Sequence, residues 1–102
     1  MKKLLQVDFD YPEAASADPD AMFELAQSIN HEPGMIWKIW TENRADNLGG
    51  GIYLFADESS AQAYLIMHTA RLKKLGVEEV RGIIFDVNVP LTDINHGPIH
   101  EE

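Results

Sequence analysis

Gly51-Ile52-Tyr53-Leu54-Phe55-Ala56 is apolar or aromatic at every position from 52 to 55. A strand places alternate side chains on opposite faces, so a run without alternation has two apolar faces to bury. The stretch Met35-Ile36-Trp37-Lys38-Ile39-Trp40-Thr41-Glu42 reads as a neighbouring strand with the same property. Trp37 and Trp40 are of opposite parity and point to opposite faces. Each aromatic ring brings roughly 150–250 Å² that must be hidden. Both sides of this sheet therefore need a cover.

The flanking sequence supplies one of them. Leu5, Val7, Phe9 and Tyr11 alternate with Gln6, Asp8 and Asp10, the pattern of a half-buried strand over 4–11. Pro12 to Ala17 reads as a loop, after which Asp18 is suited to cap a helix that has Pro19 in its first position and Asp20 in its first turn. Met22, Leu25, Ala26 and Ile29 form the helix's apolar stripe, and Pro33-Gly34 stops it. Asn43 to Gly50 reads as a polar hairpin connection, with the triple glycine at 49–51 as a turn rather than a phosphate cradle. Asp57 caps a second helix with Ala61, Tyr64, Leu65, His68, Leu72 and Leu75 on its inner stripe and Gly76 just past its end. Glu79 to Val89 completes the set as a strand ended by Pro90, and 90–102 reads as a polar C-terminal tail.

The order is βαββαβ, an α+β ferredoxin-like arrangement with an antiparallel sheet, and the 102 residues make one domain. Right-handed crossovers place both helices on one face. The other face then calls for a second copy of the sheet about a twofold axis, a homodimer.

Composition removes several classes of function. A formal net charge of −9 opposes nucleic-acid binding, which needs a basic surface. With no cysteine there is no disulfide, thiolate nucleophile or thiolate metal site. No apolar run approaches the length of a membrane span, and Met1 to Asp10 lacks the apolar core of a signal peptide, so the expected location is cytoplasmic. His96 and His100 match no zinc spacing, and no metal site is expected.

His68 is the most informative residue for chemistry, because its place on the apolar stripe puts an ionisable ring between helix and sheet. It reads as a buried histidine bonded to a backbone carbonyl, as a general base or donor in a pocket, or as a haem ligand. Arg71, three residues on, either binds an anionic oxygen or pairs with a carboxylate. Trp37, Trp40, Tyr53 and Tyr64 are candidates for the walls of an aromatic slot. Asn30, at the end of the first helix, reads as a donor to a ligand or as a helix cap. No P-loop, dinucleotide fingerprint or Ser/His/Asp signature is present. The residues alone define a pocket and no reaction.

The runs Ser28 to Glu42, Gly50 to Phe55, His68 to Lys73, Leu75 to Val80 and Phe85 to Asn88 resemble, in order, the YdhR-type monooxygenase family. The resemblance covers roughly residues 28–95. It implies a dimeric α+β barrel, two ferredoxin-like sheets face to face with helices outside. It also implies oxidation of a hydrophobic polycyclic phenol, such as an anthrone, by O₂ without metal, flavin or haem. In that reading His68 is the base or proton relay, Asn30 and Arg71 bind the developing oxyanion, and Trp37, Trp40 and Tyr53 pack the rings. The alternatives are a non-catalytic homodimeric binding protein for a similar molecule, and a haem-binding or haem-degrading protein.

Overall fold

In a computed structural model, described for residues 1–11 and 19–101, β1 (Lys3–Asp10), β2 (Met35–Asn43), β3 (Leu48–Phe55) and β4 (Val80–Asp86) form one antiparallel sheet in the order β2-β3-β1-β4. Helix α1 (Pro19–Ile29) precedes β2, and α2 (Glu58–Lys74) connects β3 to β4. This is the expected ferredoxin-like α+β fold. The expected Asp18 cap and the 12–17 loop lie outside the described residues.

The alternation read in β1 is the alternation observed. Leu5, Val7 and Phe9 are buried beneath the helices, joined by Tyr53 and Phe55 of β3 and by Ala61, Tyr64 and Leu72 of α2. Helix α2 begins where Asp57 accepts the Ser60 N–H at 2.8 Å, and it closes through Gly76 at φ 101°, a value that favours glycine. Leu75, expected on the inner stripe, is instead the C-cap residue and 54 % exposed, because the chain leaves the helical path there.

Three boundaries differ from expectation. Strand β3 starts at Leu48, so Gly49-Gly50-Gly51 is strand and the hairpin loop is only residues 44–47. Glycine has no side chain to show alternation, and the run therefore reads as a turn. Strand β4 ends at Asp86, three residues before Val89. The segment expected as an irregular tail then forms α3 (Val89–Ile94), capped by the Asn88 side chain on Leu91 N–H, with Pro90 at its start.

After α3 the chain folds back over the sheet. Trp37 Nε1 donates to the Pro98 carbonyl at 2.8 Å, Lys2 Nζ donates to the Ile99 carbonyl at 2.7 Å, and Ile99 is buried. A bulge at Ile36 makes this contact geometry accessible. Met35 pairs with Phe55 and Trp37 with Leu54, so the extra residue between them sends Trp37 to the face opposite the helices. That open face is built of cross-strand rows. Trp37, Leu54, Leu4 and Phe85 form one, and Ile39, Ile52, Gln6 and Ile83 the next. Leu54 is fully buried, whereas Ile39 and Ile83 are each 53 % exposed. Among the described residues, no helix is long and apolar enough to cross a membrane.

Candidate functional site

The helix-side face of the sheet and the helices partly enclose a space that Gly50 of β3 helps to line. A cavity of about 560 Å³ lies there between sheet and helices, within the usual range for small-molecule sites. Its sheet side is Phe9, Gly50 and Trp40, its α1 wall is Met22 and Leu25, and its α2 wall is His68, Arg71 and Leu72. The bare Cα of Gly50 is a structural requirement. A Cβ on Gly50 would stand 2.0 Å from the Val7 carbonyl oxygen, while one on Gly51 would meet the flexible Lys38 side chain.

His68 heads the cavity and is only 3 % exposed. Its ring stacks on Tyr64 with centroids 5.0 Å apart, and Tyr53 meets it edge-on at 6.5 Å. The Arg71 guanidinium donates to His68 Nδ1 from Nη2 at 2.8 Å and from Nε at 3.3 Å. An arginine has no lone pair to offer, so Nδ1 is the acceptor and the ring proton of the neutral imidazole sits on Nε2. Burial, reinforced by the Arg71 and Lys38 charges, pushes the His68 pKa down to about 3. The imidazole is thus neutral near pH 7. The partner is a guanidinium, not the backbone carbonyl that a purely structural histidine was expected to find.

Lys38 is the residue that sequence reasoning missed. Its ammonium lies 3.3 Å from the Trp40 ring centroid and 4.7 Å from that of Tyr53, a cation–π arrangement inside the cavity. Burial and the nearby Arg71 charge lower its pKa to about 7. The available signal was parity: Lys38 and Trp40 are two residues apart, so a lysine shares a sheet face with an aromatic ring.

The other expected site residues are divided by the fold. Trp40 lines the cavity. Tyr53 and Tyr64 form a layer behind it, with the Tyr64 hydroxyl donating to that of Tyr53 at 3.1 Å in the core. Burial raises the pKa of both phenols, so they remain protonated. Trp37 lies on the opposite sheet face, held by Pro98. Asn30 is exposed beyond the end of α1 and does not line the cavity. Opposite parity along β2 separates Trp37 from Trp40, and the end of α1 leaves Asn30 outside.

The sequence matches the family model described as "Putative mono-oxygenase ydhR" over residues 4–98. The chain belongs to this family. The match extends to β1, beyond the stretch in which the resemblance is readable by eye. No curated protein matches the sequence significantly. Among solved structures, the fold is similar to that of SnoaB, a cofactor-independent oxygenase from Streptomyces nogalater. The TM-score is 0.63 at 15 % identity, covering 85 % of this chain and 93 % of that one. It is also similar to a protein from Deinococcus radiodurans described as a "putative antibiotic biosynthesis monooxygenase", with TM-score 0.62, 14 % identity, and 86 % and 93 % coverage. These likenesses establish a shared fold, and the family assignment supports a monooxygenase kind.

Proposed function

We propose that the protein oxidises a hydrophobic polycyclic phenol or enol with O₂, without metal, flavin or haem, as a homodimer. The observation that carries this reading is the buried His68–Arg71 pair at the head of an otherwise largely apolar cavity. Such a site can lower the cost of a carbanion by binding the oxygen onto which its charge spreads. The overall change is R₂CH₂ + O₂ → R₂C=O + H₂O, with the substrate carbanion supplying the electrons that reduce O₂.

The residues act in sequence. Ring stacking against Trp40 and packing on Met22 and Leu25 orient the substrate. Arg71 turns from His68 Nδ1 towards the substrate oxygen as negative charge develops, and the vacated lone pair on Nδ1 receives the substrate proton. The oxyanion offsets the Arg71 and Lys38 charges, two of the three influences that depress the His68 pKa, so the imidazole gains basicity as the charge forms. Tyr64 keeps the ring in place. Asn30 has no part in this scheme.

What supports the dimer is the open sheet face, whose central row exposes Ile39 and Ile83 with Phe85 beside them. A second sheet packed on these residues covers the surface that the C-terminal segment leaves bare.

Oxygen uptake with an anthrone, with chelator present and no cofactor added, tests the activity against buffer and boiled-protein controls. Protein-dependent quinone formation that falls strongly in His68→Ala supports the scheme, and full turnover in that variant removes His68 from it. Tryptophan quenching by the same compound without oxygen uptake would favour a binding protein. A Soret band on haem titration that His68→Ala shifts would favour haem as the ligand.

A further inference from the structure

The cavity's charge is opposite to that of the protein. Lys38, Arg71 and Lys74 line it, three of the eight lysines and arginines in a chain that carries 17 acidic residues, yet no Asp or Glu among the described residues lines it. The contrast with the surface is sharp. Lys3 pairs with Asp86, Arg81 with Asp8 and Asp10, and Arg44 with Glu42. Inside the cavity, Arg71 donates to a neutral imidazole and Lys38 lies on aromatic faces. Cations gathered in a partly buried apolar space repel one another, and Lys38 shows this in being lowered by Arg71. An anion of suitable shape would relieve that repulsion.

We propose that the cavity selects an aromatic oxyanion, its rings between Trp40 and the Met22–Leu25 wall and its carboxylate or phenolate oxygen between Arg71 and Lys38. This names the substrate class of the proposed oxygenase and rests on the same site. The guanidinium has five N–H donors and directs two of them at His68 Nδ1 in the free protein, so others remain to meet a bound oxygen before any turn away from the ring. Lys74 lies three residues beyond Arg71, on the next turn of α2, and extends the positive lining towards the helix end. The Gly50 backbone lies beneath this space, and the Lys38 ammonium on the Trp40 ring stands at its edge.

The test compares matched probes on the intact protein by calorimetry, with tryptophan fluorescence as a second readout. One pair is 2-naphthoate against 2-naphthamide, and the other is 4-nitrophenol against 4-nitroanisole. The nitrophenol absorbance also reports whether the bound molecule is ionised. The expected result is an affinity for the anionic member about tenfold or more above its neutral partner at low salt. Arg71→Gln should bring that ratio close to one while circular dichroism remains native. Arg71→Lys and Lys38→Met should each leave an intermediate ratio, a graded response that misfolding would not give. Preference in the first pair alone assigns a carboxylate, and preference in the second alone a phenolate. Equal affinity within both pairs, or no binding by either anion, overturns the proposal. Binding does not require turnover, so the two readings fail separately. Anion preference without oxygen uptake removes the oxygenase and keeps the ligand class, whereas turnover without anion preference does the reverse.

Discussion

Replacing His68 with glutamine should flatten the acid limb of the protein's stability. The imidazole is 3 % exposed, its nearest ring lies 5.0 Å away, and burial leads the causes that hold its pKa at about 3. An unfolded chain would bind the same proton at the ordinary value of 6.5. As pH falls between those values, the unfolded state takes up the proton and the folded state does not, so stability is lost with acidification. Over the whole window the loss approaches about 5 kcal/mol, and between pH 7 and pH 5 it is about 2 kcal/mol, at 1.36 kcal/mol per unit. Urea unfolding at both pH values, at one protein concentration because a dimer would couple stability to mass action, gives the comparison. Wild type should lose about 2 kcal/mol more than His68→Gln over this interval, whatever the variant costs at pH 7. Equal losses in the two proteins would refute the buried, neutral histidine and with it the premise that a ligand charge restores its basicity.

Lys38→Met should be more stable than wild type at pH 7 by about 1–2 kcal/mol, allowing for solvent screening of a half-buried amine. The advantage should shrink towards pH 10, because a lysine whose folded pKa is lowered regains stability as pH rises from about 7 to 10.5. Thermal melts across that range would detect it. Gly50→Ala should cost about 2–4 kcal/mol, since its methyl would stand 2.0 Å from backbone, whereas Gly51→Ala has the movable Lys38 chain to displace and should fold. Denaturant midpoints of the pair separate the cases. Ile83→Asp, at a position 53 % exposed on the open sheet face, should convert dimer to monomer in sedimentation velocity with the secondary structure retained.

Much of this architecture is readable because side-chain periodicity carries it. Leu5, Val7 and Phe9 declare a face by alternation, and Ala61, Tyr64, His68 and Leu72 declare one by helical spacing. Where periodicity is silent, the reading fails. Glycines 49–51 have nothing to alternate, so a strand reads as a turn. The bulge at Ile36 inserts a residue that no local pattern announces, although the opposite parity of Trp37 and Trp40 survives because both lie after it. Helix α3 is six residues long and is followed by a segment tied to Trp37 and Lys2, contacts more than 60 residues apart in sequence. Of the site, His68, Arg71 and Trp40 were legible from one stripe and one strand. Lys38 was visible only to a reader who asked why an ammonium should share a face with Trp40.

The sheet side of the cavity joins Gly50 backbone, held in the β1–β3 and β2–β3 ladders, to the apolar faces of Phe9 and Trp40. It can therefore support a flat molecule from below but cannot steer one. Every directional instruction must come from the rim, where the donors sit on a single helix and a single strand. A rim of that kind can be rewritten without disturbing the sheet beneath it. A change of substrate should accordingly be sought first in substitutions at Lys38, Arg71 and Lys74.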